Sequence, residues 1–144
     1  MKFVIPGKPI GKQRPRFFNK CGQVTVYTPR DTLQYEKKVL QCFNQSIIEN
    51  PTDANIGPFG SVIVRINAYY GIPKSWSKKK RELAEQGQIR PQVKPDIDNV
   101  AKIILDGLNG QAYKDDSQVI ELITSKSYTA PGEDERVEVE LYYI

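Results

Sequence analysis

Short runs of apolar, β-branched and aromatic residues predict the strands of this chain. Segments of this kind favour extended backbone, most clearly in SVIVRINAYY. Phe17–Phe18 and the segment VTVY flank NKCGQ, a pattern typical of a hairpin with a glycine-containing turn. The other predicted strands are residues 2–5, 61–70, 118–128 and 136–143.

A different periodicity predicts helices between these strands. Tyr35, Val39, Phe43 and Ile47 recur every four residues within residues 32–49. Residues 77–86 have helical composition with Ser77 as a cap. Residues 98–108 carry apolar side chains at helical spacing and end at an Asn-Gly pair. Prolines favour an extended linker before that helix. Strands and helices are mixed without regular alternation, so we expect a single α+β domain over residues 1–144, a mixed sheet covered by helices on one side.

Composition excludes several kinds of site. The chain has 144 residues, two cysteines and no histidine. The lack of histidine excludes Ser-His-Asp and Cys-His catalysis and any histidine-bound zinc. The segment GKPIGKQ is one residue short of a phosphate-binding P-loop, so no nucleotide cofactor is expected. No apolar run is long enough to cross a bilayer, and no secretory signal is evident, so we expect a cytoplasmic protein without membrane partners.

Charge is unevenly distributed along the chain. The net charge is +4, but the first thirty residues hold seven cations and no acid. A second basic stretch runs through residues 74–94, whereas the acids gather in central clusters and near the end. Chance segregation of surface charge is one explanation. A basic surface with a small acidic centre also suits a polyanion that must meet a cation.

Two aspartates in KPDIDN have two possible roles. One of Asp96 and Asp98 can cap the following helix, which is the common use of such a residue. Alternatively, Pro95 keeps the approach extended, and alternate carboxylates on an extended chain converge on one cation. Lys102, one helical turn after Asp98, forms either an ordinary ion pair or a contact to a phosphate. Asp106 continues this face and can pair with Lys102.

The later segment YKDDSQ carries two more aspartates, Asp115 and Asp116. Asp and Ser favour turns, so KDDS alone predicts a turn. Because the helix and its Asn-Gly end return the chain, we expect the second acidic pair to lie beside the first. Three or four facing carboxylates repel unless a cation neutralises them, which is typical of magnesium-dependent phosphoryl chemistry.

Three segments together resemble a known family. GKPIGKQRPR, YTPRDTLQYEKKV and above all KPDIDNVAKIILDGLNGQAYKDDSQV resemble the RusA-type Holliday junction resolvases, which are often carried by bacterial prophages. The likeness covers most of the chain. It implies a homodimeric endonuclease that requires Mg²⁺, with Mn²⁺ as a substitute, and that nicks two opposing strands of a four-way DNA junction symmetrically.

The resemblance also implies roles for individual residues. The family's catalytic and metal-binding aspartates match Asp96, Asp98 and Asp116, with Asp115 beside them, and its essential lysine matches Lys102. Its basic arm matches Lys12, Arg14 and Arg16. In the mechanism expected here a divalent cation activates water for in-line attack, and Lys102 stabilises charge at phosphorus. We expect the arm and a second basic cluster to bind phosphates without reading bases. That cluster is Lys78, Lys79, Lys80 and Arg81.

Two alternatives belong to other functional classes. In a DNA-binding module, the same acids would only cap a helix and form a turn. In a cation-stabilised interaction protein, metal would raise stability without cleavage of a phosphodiester. Divalent-dependent nicking of a four-way junction separates both from the enzyme.

Overall fold

The computed structural model describes residues 1–51 and 60–144, and most of the loop predicted at residues 50–60 lies outside them. A four-stranded sheet forms the centre of the fold, with the strands in the order β1 (Lys2–Pro6), β6 (Arg136–Tyr143), β4 (Val62–Tyr70) and β5 (Val119–Tyr128). Strand β1 pairs antiparallel with β6, β6 pairs antiparallel with β4, and β4 pairs parallel with β5. The α+β class and the mixed sheet are therefore confirmed.

Two helices cover one face of this sheet. Helix α1 (Arg30–Glu49) buries Tyr35, Val39 and Phe43, as its four-residue period predicts. Helix α3 (Ile97–Leu108) buries its apolar stripe, and four of these side chains are fully buried. The four are Val100, Ile103, Ile104 and Leu108. Alternate residues of β1, β4 and β6 meet these helices, so the core lies between the sheet and the two helices.

Gly107 allows α1 and α3 to approach closely. A Cβ atom built at Gly107 would lie 3.1 Å from both the Glu36 carbonyl oxygen and Val39 Cβ. Those contacts leave little room for a larger residue.

The third helix, α2 (Lys78–Glu85), begins at Ser77, whose hydroxyl accepts a hydrogen bond of 3.3 Å from the Lys80 amide. The predicted serine cap is confirmed.

A separate hairpin follows the N-terminal arm, which comprises residues 7–15. Strands β2 (Arg16–Lys20) and β3 (Gln23–Tyr27) pair antiparallel through the two-residue turn Cys21-Gly22. Both turn residues have positive φ, 52° and 79°, as a tight two-residue hairpin turn requires. The prediction of a glycine-containing hairpin is confirmed.

In the described part of the chain, no helix is long and apolar enough to span a bilayer.

Candidate active site

Asp96 stands at the N-cap position of α3 but does not cap it. Its backbone is extended, with φ −64° and ψ 150°, and its carbonyl accepts the first helical hydrogen bond from Val100 at 3.1 Å. Its side chain makes no capping hydrogen bond. A carboxylate at this position normally satisfies free N–H groups of the first turn. Since this one does not, it remains available to a cation or to another ligand.

The Asp96 carboxylate is instead paired with Lys94. The Lys94 ammonium lies 2.6 Å from both oxygens of Asp96. The pKa of Asp96 is lowered, chiefly by this hydrogen bond, against an opposing effect of desolvation. A single cation already sits on this carboxylate, so the position favours positive charge.

Lys126, near the C-terminal end of β5, holds the segment that leads to Asp96. Its ammonium donates hydrogen bonds to the carbonyls of Val93, at 2.6 Å, and Pro95. Burial lowers the pKa of Lys126, and the Asp96 charge partly offsets that effect. These contacts fix the extended approach to α3 against the sheet, and thereby the position of Asp96.

An open cleft of about 680 Å³ lies at this end of α3. Asp96 and Asp98 contribute the acids of its lining, and Arg90, Lys94 and Lys126 contribute the cations. The Arg90 guanidinium is held by Ser127 Oγ at 3.1 Å. A cleft with two carboxylates and a cationic rim can accept a phosphate together with a divalent cation.

The second acidic pair has two different environments. Asp115 caps the short 3-10 turn Asp116–Gln118: its carboxylate accepts a hydrogen bond of 2.9 Å from the Ser117 amide, which lowers its pKa. The Asp116 side chain has no such partner among the described residues. Partial burial, followed by repulsion from Asp106 and Asp115, raises the pKa of Asp116, and Lys102 opposes this change. Asp115 therefore shapes the turn, and Asp116 carries the destabilised charge.

Lys102 and Asp106 do not form the ion pair that the sequence allowed. Asp106 pairs with the arm residue Lys12, with 2.8 Å between the charged atoms, so the Lys102–Asp106 pair is not formed. Lys102 is exposed, and no salt bridge to it occurs in the described ranges. Its ammonium is free to meet a phosphate beside Asp98 and Asp116.

The expected cluster of three or four facing carboxylates is not assembled. Among residues 1–51 and 60–144, no three acidic or thiol side chains form a group that could hold a metal ion. The charges that act on Asp96 are Lys94 and Lys126, whereas those that act on Asp116 are Asp106, Asp115 and Lys102. Asp96 and Asp116 therefore lie in separate electrostatic environments, as expected for like charges that no cation bridges.

The predicted phosphate-binding residues differ in their availability. Arg14 and Arg16 are exposed, as are Lys78 and Lys79. Lys80 lies over the Trp76 ring, 3.9 Å from its centroid, and Arg81 is half-buried. Lys12 is the exception, because its ammonium is enclosed by the carboxylates of Glu36 and Asp106 and its side chain is only 20% exposed. Lys12 therefore holds the arm to α1 and α3.

The chain matches known proteins over nearly its whole length. The family model described as Endodeoxyribonuclease RusA matches residues 6–142, nearly the whole chain. The chain belongs to the RusA endodeoxyribonuclease family. A relative from Bacillus subtilis (strain 168), the "Uncharacterized protein YqaN", is 39% identical over 141 residues, which cover 96% of this chain and 93% of that protein.

Membership of the RusA family makes this protein an endodeoxyribonuclease of the Holliday junction resolvase type. Three cations that the sequence did not single out, Arg90, Lys94 and Lys126, line the acidic cleft. A lysine between Thr124 and Tyr128 on the helix-facing side of β5 was the available signal for Lys126. Arg90 and Lys94 offered no such signal, since both lie in an irregular segment.

Proposed function

We propose that this protein is a divalent-metal-dependent Holliday junction resolvase that nicks opposing strands of a four-way DNA junction as a homodimer. The observation that carries the proposal is the Asp96 carboxylate, which lies at a helix N-terminus without capping it, beside Asp98 in a cleft with a cationic rim. Family membership supplies the reaction class. A DNA-binding module with merely structural acids would more simply use Asp96 as a cap.

The side chains suit a hard cation such as Mg²⁺ or Mn²⁺. Asp96, Asp98 and Asp116 offer only carboxylate oxygens, which both ions accept. Mg²⁺ usually keeps several waters and takes one or two protein carboxylates together with substrate phosphate, so a preformed three-carboxylate cage is not required. When bound, the ion would supply Lewis acidity toward the scissile phosphate and the attacking water.

The chain's own residues would orient the substrate and stabilise charge. The Lys94 ammonium, which pairs with Asp96 in the cleft, would be positioned to contact a substrate phosphate. Lys102, which lies one helical turn after Asp98 and whose charge acts on Asp116, would stabilise the charge that develops at phosphorus. Exposed Arg14, Arg16 and the α2 lysines would bind flanking phosphates, which fix position without reading sequence.

A homodimer matches the two-fold symmetry that paired nicks require. Strand β5 lies at the edge of the sheet and exposes Ile120, Leu122 and Ile123, with exposed fractions of 61%, 43% and 42%. Apolar edge strands are usually covered or paired, because their free backbone groups attract another chain. This edge is the described surface that best suits a second subunit.

The test is cleavage of a labelled four-way junction with and without Mg²⁺. Wild type should nick two opposing strands only with the ion. Asp116→Asn should reduce cleavage by about 10²-fold or more, because it removes several kcal/mol of charge stabilisation, while junction binding is retained. Mg²⁺ should also raise the melting temperature of wild type more than that of Asp116→Asn, since ligand binding to the native state stabilises it.

Asp115→Asn is the matched control. It changes the adjacent residue and keeps an oxygen that can cap the turn, so its effect on cleavage should be much milder. Wild-type nicking by Asp116→Asn would refute the proposed metal site. Junction binding without cleavage by the wild type would favour the DNA-binding module, and stabilisation by Mg²⁺ without cleavage would favour the cation-stabilised protein.

A further inference from the structure

The β2–β3 hairpin exposes every one of its strand side chains. All ten residues of the two strands are exposed, including Phe17 at 73%, Phe18 at 56% and Tyr27 at 46%. None of them belongs to the hydrophobic core. A two-stranded hairpin is only marginally stable alone, and exposed aromatic side chains that gather together mark an interaction surface. The hairpin therefore has a use outside the fold.

The pairing register sorts these side chains onto two unlike faces. Directly opposed residues of an antiparallel pair point to the same side of the ribbon. The first face, here the stacking face, combines two aromatic rings with two cations and no acid. It consists of the pairs Arg16–Tyr27, Phe18–Thr25 and Lys20–Gln23. The opposite face consists of the pairs Phe17–Val26 and Asn19–Val24 and carries no charge.

The hairpin begins close to the acidic cleft. The Lys12 amide donates a hydrogen bond of 2.8 Å to the carbonyl of Asn99, the residue after Asp98. Gly11 touches Pro95 so closely that a Cβ atom would lie 2.5 Å from Pro95 Cβ. Arg16 is four positions after Lys12, so the start of β2 lies within about 14 Å of the point where Lys12 is bound to Asn99. A five-residue strand then extends about 17 Å, so a DNA strand in the cleft is within reach.

We propose that the stacking face binds unstacked bases beside the cleaved strand, at the crossover of the junction. Aromatic rings that alternate with cations accept bases of any sequence by stacking, while the cations hold the neighbouring phosphates. The crossover is where a four-way junction interrupts base stacking. This inference rests on the proposed junction substrate and adds the contact that distinguishes a junction from plain duplex.

A second copy of this chain is the competing occupant, and charge disfavours it. Residues 1–30 hold seven cations and no acid, and the whole chain carries a net charge of +4. The stacking face would meet a partner of the same sign in another copy. Nucleic acid instead presents negative charge, on the regularly spaced phosphates of its backbone.

Neighbouring phenylalanines provide a matched pair of variants. Phe18 lies on the stacking face and Phe17 on the opposite face of the same strand. Full-length protein would be bound, in EDTA, to a four-way junction with 2-aminopurine at the crossover and to duplex of the same sequence. Phe18→Ala and Tyr27→Ala should each weaken junction binding about tenfold and abolish the 2-aminopurine response, with little change on duplex. Phe17→Ala should match wild type in both readouts.

All three variants should keep the wild-type melting temperature, because the hairpin lies outside the core. Equal losses for Phe17→Ala and Phe18→Ala would overturn the inference. So would a Phe18→Ala protein that sediments as a smaller species while its 2-aminopurine response is normal, since the hairpin would then be a subunit contact. Failure of wild type to bind or cut junctions would instead refute the proposed function. Wild-type cleavage with an unaffected Phe18→Ala would refute the hairpin inference alone.

Discussion

The direction of the Asp96 side chain distinguishes a helix cap from a candidate ligand. Asp96 occupies the position where an aspartate would cap α3, yet its carboxylate faces the cleft and Lys94. From sequence, KPDIDN allowed both a helix cap, which is the commoner use of such a residue, and a metal ligand, because residue type does not fix the direction of the side chain. The same was true of Asp115 and Asp116, which are adjacent and chemically identical. Hydrogen bonding separates them: only Asp115 supports the turn.

At this scale we predict that Asp96→Ala separates activity from stability. Loss of a true helix cap costs about 1 kcal/mol. Asp96→Ala should leave the free energy of unfolding nearly unchanged, since it removes only an exposed ion pair. Junction cleavage should nevertheless be lost. Urea unfolding and the cleavage assay measure the two effects.

Ser77→Ala is the comparison for Asp96→Ala, because Ser77 does cap its helix, α2. That variant should lose about 0.5–1 kcal/mol of stability and retain cleavage. If Asp96→Ala destabilised the protein as much as Ser77→Ala, Asp96 would be a structural cap after all.

At the scale of elements, local patterns predicted nearly every helix and strand. The four-residue period of α1 and α3 and the β-branched run of β4 are properties of consecutive residues, so the sequence displays them directly. Pairing partners are not displayed in this way. Strand β5 is apolar on both faces and pairs parallel with β4, and nothing local distinguishes that edge position from a central one. The arm's attachment to the helices was hidden for the same reason.

Lys12 shows the consequence for the arm. It was expected to bind DNA, but it joins Glu36 of α1 and Asp106 of α3, residues far apart in sequence. Burial acts to lower its pKa, but the hydrogen bonds and charges of Asp106 and Glu36 prevail and raise it. Lys12→Met would leave two half-buried carboxylates without their cation. We expect it to lower the free energy of unfolding by about 1–2 kcal/mol.

Arg14→Met provides the contrast, because Arg14 is exposed. It should leave stability within about 0.5 kcal/mol of wild type. The salt dependence of junction binding should become shallower by about 0.9 per lost phosphate contact. Lys12→Met should not change that slope in the folded protein. The Lys12 assignment fails if the two variants exchange these behaviours.

At the scale of the whole molecule, the two faces of the sheet have different surroundings. One face packs on α1 and α3 and positions the acids. The other is open and carries charged and aromatic side chains from several strands. Its centre is Glu138 of β6, whose carboxylate lies 2.8 Å from the Lys2 ammonium of β1 and 2.9 Å from Arg136 Nε. Alternation predicted the strands but not this network, which depends on which strands are neighbours.

We predict that Glu138 makes stability depend on acid pH. The pKa of Glu138 is lowered from an ordinary value near 4.5. The hydrogen bond from Lys2 is the largest cause, and the hydrogen bond from Arg136 lowers the pKa further, whereas desolvation acts to raise it. A depressed native pKa means that the stabilising contribution is complete above about pH 4.5 and is lost as the pH falls through the native pKa. Glu138→Gln should therefore cost about 1 kcal/mol at pH 7, toward the upper end for a partly exposed pair.

The cost of Glu138→Gln should shrink as the pH is lowered below 4, because protonation removes the same charge from wild type. Urea unfolding at pH 7 and pH 3 measures both differences. Glu133→Gln is the matched control: Glu133 meets the same Arg136 at 3.1 Å, but its side chain is 47% exposed, so its cost at pH 7 should be smaller. An equal penalty for Glu138→Gln at both pH values would show that packing, rather than the Lys2–Glu138–Arg136 charges, joins β1 to β6.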